Sequence, residues 1–182
     1  MNKEVEAGLT MQDNSAPNPI SIEEMKASVG SILFLWSSVE RELAKRIIEL
    51  GGGALRSDAH TISQKITRWE SLQTDACAAR PEHQALLRDV RGRLTMSLDI
   101  RNRIAHGLIG ITADPFGDQG DAHLMTELNG ETRKHTHSDL EHVMRVLAHM
   151  VSAISALSRA AKEQDSREAE RSYRGIRLNH LP

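Results

Sequence analysis

The chain of 182 residues holds a single cysteine, Cys77, which excludes an internal disulfide and every zinc centre built from paired thiolates. A lone thiol fits a reducing compartment, and the protein reads as cytoplasmic. Aromatic residues make up only 3%, the full set being Phe34, Trp36, Trp69, Phe116 and Tyr173. They are too few and too scattered to form a base-stacking platform, so an RNA-recognition or single-strand-binding sheet is excluded. Five prolines and twelve glycines are too few for a collagen-like or low-complexity chain. Net charge is −2, from 23 basic against 25 acidic residues, so the whole molecule is not a polycation that coats nucleic acid or acidic lipid. No apolar run approaches the roughly 18 residues of a membrane span, and the N-terminus MNKEVEAGLTMQD has no signal-like stretch, so no membrane partner is expected.

What is there, 39% hydrophobic and 26% charged residues, suits one globular domain with a sizeable core. Residues 1–20 are polar and aperiodic, a flexible lead-in. A domain is expected over 21–162. Its first helix opens on the capping box Ser21-Ile22-Glu23-Glu24, with Ile20 and Met25 as a hydrophobic staple. Its apolar stripe runs Ile22, Met25, Val29, Ile32, Trp36, Val39, Leu43, Ile47 and Leu50, and Gly51-Gly52-Gly53 stops it. A second helix carries Ile62, Ile66, Trp69, Leu72 and Ala76, ending before Pro81. The third starts at Pro81 and carries Leu86, Leu87, Val90, Leu94, Leu98 and Ile104 to Gly107, its expected C-cap.

The helical period then lapses over about 108–137, a β insertion with strands expected at Leu108–Thr112, Ala122–Leu128 and Glu131–Thr136. Asp114-Pro115 signals a turn and Asn129-Gly130 a two-residue hairpin. A fourth helix is expected from a capping box Ser138-Asp139-Leu140-Glu141, with Leu140, Val143, Leu147, Met150, Val151, Ile154 and Leu157 on its buried stripe. Residues 163–182 form a charged C-terminal extension, either a further helix or a solvated arm, the arm being the simpler reading. The expected fold class is all-α, an antiparallel four-helix bundle with a small β-hairpin insertion between helices 3 and 4.

One segment at the end of the third helix concentrates reactive side chains: Leu98-Asp99-Ile100-Arg101-Asn102-Arg103-Ile104-Ala105-His106-Gly107. Arginine holds a permanent charge in a planar fork that matches two phosphate oxygens, and histidine exchanges protons near neutral pH. Those are the two roles that metal-free cleavage of RNA needs: a base for the ribose 2′-hydroxyl, and a cation for the charge that builds on phosphorus. Asn102 can orient either partner. Residues five apart lie roughly 140° from each other on an ideal helix, so Arg101 and His106 meet only where the helix is ending or across two subunits. Arg88, Arg91, Arg93, Arg101 and Arg103 against Asp89 and Asp99 give this helix a local surplus of +3. Read structurally instead, the segment is an ordinary helix C-terminus, with His106 on the favourable end of the dipole and Gly107 in the left-handed conformation.

With its context, the segment resembles the active-site motif of the HEPN superfamily: Arg101, the polar Asn102, and His106 after four intervening residues. The resemblance extends over roughly 21–160, through Trp36 and Glu40 in LWSSVERELAKRI, Ser63 to Ile66 (SQKI), and a β insertion after the His-Gly pair. It implies a metal-independent endoribonuclease with Arg101, Asn102 and His106 as site residues, leaving a 2′,3′-cyclic phosphate and a 5′-hydroxyl. It further implies an RNA substrate, a homodimer with the two motifs facing each other, no cofactor, and a toxin or anti-phage setting in which an antitoxin or other regulatory protein is a partner. The alternative is a non-catalytic module of that fold that dimerises or binds a protein or nucleotide. Glu40, one turn after Trp36, either turns inward to hold Arg101 or is solvated. His123, His135, His137, His142 and His149 are too widely spaced to read as a metal site, and Cys77 reads as a small packed residue.

Overall fold

The computed structural model of the protein describes residues 19–53, 59–112, 122–163 and 165–179. Helix α1 (Ile22–Gly51), α2 (Ile62–Ala76) and α3 (Pro81–Gly107) precede strands β1 (Leu108–Thr112), β2 (His123–Leu128) and β3 (Glu131–His135), and α4 (His137–Lys162) and α5 (Ser166–Asn179) close the chain. The molecule is mostly helical with a small antiparallel sheet. The lead-in up to residue 18 and the Asp114-Pro115 turn lie outside the described residues.

Each capping box joins an orphan N–H at the helix start to a side chain. Ser21 Oγ accepts from the Glu24 N–H at 3.2 Å while Glu24 accepts from the Ser21 N–H at 2.8 Å, and Ile20 packs against the core that contains Met25. Gly52 takes the left-handed conformation (φ 73°) and donates to Ile48 O at 3.1 Å, ending α1. The fourth helix departs from expectation. Its box is Thr136 with Asp139, not Ser138 with Glu141. The buried end of β3 at His135 leaves one residue between strand and helix, and Thr136 caps at that junction.

Helix α4 is the centre of the core, packed against α1, α3 and α5. Leu140, Val143, Leu147, Met150, Ile154 and Leu157 are all buried. By length and mean hydropathy (1.2) α4 would suffice to cross a membrane, and its apolar stripe is spent on neighbouring helices. The α1 stripe from Met25 to Ile47 is buried too except for the half-buried Val29, with Ile22, in the first turn, left 38% exposed.

The C-terminal segment is not a solvated arm. Ala169, Tyr173 and Ile176, spaced four and three apart, bury one narrow stripe of α5; a single apolar residue per turn hides among the charges in the sequence. Tyr173 also closes a buried polar chain. Gln73 donates to Ser158 Oγ (2.8 Å), so its Oε1 accepts from His83 Nε2 (2.9 Å), and His83 Nδ1 accepts from the Tyr173 hydroxyl (3.2 Å). Trp69 Nε1 donates to the same Ser158 (3.0 Å). Burial, with the Arg80 charge second, pushes His83 down to about 4, a neutral imidazole.

The expected hairpin supplies two strands, β2 and β3, of a three-stranded sheet in the order β1-β2-β3. Asn129 (φ 55°) and Gly130 (φ 76°) make the β2–β3 turn with two positive φ values, as an Asn-Gly hairpin requires. The register slips between Leu108 and Gly110, a bulge that leaves Leu108 and Ile109 exposed at 48% and 60%. Gly107 is not a left-handed cap: α3 ends on the extended Leu108. It is small because a Cβ there would sit 2.3 Å from Glu127 O, so the end of α3 rests directly on β2.

Two outcomes follow from this packing. Gly107→Ala will lower the denaturation midpoint by an amount equal to about 1–3 kcal/mol, whereas Gly92→Ala, in open space on the same helix, will raise stability by about 0.5–1 kcal/mol, both read by urea unfolding. The unfolded chain protonates His83 at 6.5 and the folded chain only at about 4, so stability is complete above 6.5 and is lost as pH falls through that window. The loss totals about 3 kcal/mol, and it will be absent from the His83→Gln protein in the same pH series.

Candidate functional site

Arg101, Asn102 and His106 stand on the last two turns of α3. The Arg101 side chain spans the angle that separates positions five apart. Its Nη1 lies 3.4 Å from His106 Nε2 and donates to Asn102 Oδ1 at 3.1 Å. A guanidinium has no lone pair, so His106 Nε2 is the acceptor in that contact and carries no proton there. The three residues therefore come together within one chain. Arg101 and Asn102 are half-buried and His106 is exposed, so the imidazole faces the opening.

They form one wall of an open cleft of about 540 Å³. The segment that leads into α2 lines the same cleft, with His60, the cap residue Thr61, Ile62 and Ser63, as does Glu40 of α1. Glu40 is not bound to Arg101: half-buried, it holds Lys65 of α2, the lysine of SQKI, at 2.5 Å. That pair ties α1 to α2 beside the cleft. Trp36, one turn before Glu40, donates from Nε1 to Ser97 O at 3.2 Å and so holds α1 against α3.

Two residues beyond Arg101, about 200° round the helix, Arg103 serves a different purpose. It is 3% exposed and reaches Asp99 (3.2 Å), Glu131 O (3.1 Å) and the Glu131 carboxylate (2.6 Å), fastening α3 to β3. Arg133 of β3 completes the network on Asp99 and Glu131, and together Arg133 and Arg103 hold the Glu131 carboxyl below its usual range. The expected basic surplus of α3 is accordingly reduced. Arg91 is paired with Glu70, Arg93 with Asp89, and Arg103 with Asp99 and Glu131. Among the described residues, only Arg88 and Arg101 of the five lack a carboxylate partner, and of these two Arg101 lines the cleft.

His123 and His135 bond to threonine hydroxyls, of Thr112 at 2.9 Å and Thr126 at 3.0 Å. Among the described residues no three His, Cys, Asp or Glu side chains converge as metal ligands. Cys77 is buried beside Ala161 O and Arg80, and burial pushes its thiol up, away from reactivity. The α2 wall, His60 above all, does not follow from the Arg-to-His motif. The signal for its place is Thr61-x-x-Gln64, a capping box that fixes where α2 begins.

Comparison of the chain with protein-family models, with curated proteins and with solved structures gives no match.

The two arginines separate experimentally. Arg103→Ala will cost about 1.5–3 kcal/mol in chemical denaturation, because its charge-assisted bonds join two elements. Arg101→Ala will stay within about 0.5 kcal/mol of the parent protein in the same measurement.

Proposed function

We propose that the protein is a metal-independent endoribonuclease of HEPN type, with Arg101, Asn102 and His106 as its site. The observation that carries this reading is the 3.4 Å approach of Arg101 to His106 in an open cleft, with Asn102 holding the guanidinium. An incoming phosphate is a stronger partner for the guanidinium than a neutral imidazole is. As Arg101 turns to the phosphate oxygens, His106 Nε2 loses its donor and becomes free to take the 2′-hydroxyl proton. The 2′-oxygen then attacks phosphorus, Arg101 stabilises the charge on the equatorial oxygens, and the 5′-oxygen leaves, giving a 2′,3′-cyclic phosphate.

The helical body is read as the HEPN-like antiparallel bundle, with α5 and the sheet added to it. The chain acts as a cytoplasmic homodimer, which the exposed Leu108 and Ile109, directly after the His106-Gly107 pair, support as apolar contact surface. A toxin or anti-phage role, with an antitoxin or other regulatory protein as partner, belongs to the same proposal. A second reading has an observation in its favour. The Arg101–Asn102–His106 contacts also lock the end of α3, which is what a non-catalytic dimerisation or ligand-binding module of this fold needs.

Purified protein in chelator will cut RNA and leave cyclic phosphate ends. Arg101→Ala and His106→Ala will each lower the rate by about 10²–10⁴-fold with an unchanged circular dichroism spectrum. If His106→Ala cuts as fast as the parent protein, this mechanism is wrong; if the parent protein cuts no RNA at any salt concentration, the module reading stands.

A further inference from the structure

The ribonuclease reading assigns one proton transfer, from the 2′-hydroxyl, and leaves the leaving 5′-oxygen without a donor. Four ionisable side chains line the cleft: Glu40, His60, Arg101 and His106. Arg101 stays protonated, and His106 is the acceptor of the first proton. Glu40 is occupied by Lys65. His60 alone remains.

Its placement is built. Ala59 before it is fully buried, and Gln64 Oε1 accepts from both the His60 N–H (3.1 Å) and the Thr61 N–H (2.9 Å). The backbone is therefore held on both sides while His60 itself is exposed and lines the same cleft as His106. No hydrogen bond or ion pair of the His60 ring is present among the described residues.

Resting on the ribonuclease reading, we infer that His60 is a second catalytic residue, the general acid that protonates the leaving 5′-oxygen. His106 Nε2 takes the 2′-hydroxyl proton and the 2′-oxygen bonds to phosphorus. The bond from phosphorus to the 5′-oxygen breaks, and His60, entering as imidazolium, gives its ring proton to that oxygen. One proton is gained at His106 and one lost from His60, so charge balances, and exchange with water resets both rings. The arrangement divides the chemistry between two elements: α3 supplies the base and the phosphate cation, and the segment that leads into α2 supplies the acid.

The test compares two substrates in the full-length protein. An RNA oligonucleotide has a 5′-alkoxide leaving group that needs a proton, whereas uridine 3′-(4-nitrophenyl phosphate) releases an aryloxide that does not. His60→Ala and His60→Gln are expected to lose about 10²-fold or more on RNA and to stay within severalfold of the parent protein on the aryl ester, while His106→Ala loses both activities. Equal loss on both substrates, no loss on either, or loss on the ester alone would overturn the role of His60 while leaving Arg101 and His106 in place. A parent protein that cleaves neither substrate would instead overturn the ribonuclease reading itself, and this role with it.

Discussion

The close approach of the end of α3 to the backbone of β2 is the constraint on which the site depends. Gly107 lets the helix meet Glu127 O with no side chain between them, and Arg103 fastens the same turn to β3 through Glu131. That contact buries Gly107 and Arg103 on one side of the last turn and leaves His106 on the other. It stays exposed at the helix end, where the long Arg101 side chain reaches it. The sheet is thus more than an insertion, because it forms the floor against which the reactive turn is set.

The same helix shows how a chain of net charge −2 can present a cation to phosphate. Most of the α3 arginines are neutralised within the fold, by Glu70, Asp89, Asp99 and Glu131. Arg101 is met only by neutral acceptors, Asn102 and His106. A cation surrounded by neutral groups in a cleft keeps its field for a ligand, whereas a paired one does not. The neighbouring pair Lys65–Glu40 has the opposite character, since its charges cancel and it serves to join α1 to α2.

Much of the fold was legible because its signals are local. Heptad-like spacing located α1, α3 and α4, the Asn129-Gly130 pair located the hairpin, and the Ser21 box located the start of α1 to the residue. The misreadings share a cause: each depends on a partner distant in sequence. Ser138 and Thr136 both offer a cap, and the choice is made by where β3 ends. The stripe on α5 is one residue wide and gains meaning only from His83 and α4. Gly107 reads as a left-handed cap until the backbone of Glu127, twenty residues on, is placed beside it. At the site, the sequence pointed to Arg101, Asn102 and His106 but not to His60, which lies just before the cap of α2 and joins them only through the packing of α2 against α3.

By itself, then, the sequence determined the helices, the hairpin and the chemical types available at the end of α3, because helix periodicity, capping and turn chemistry act between residues a few positions apart. The tertiary structure alone decided which arginine is a strut and which is free, what Glu40 binds, and which side chains face His106. Those outcomes are set by long-range packing and by competition among charges for partners, and no spacing along the chain records them.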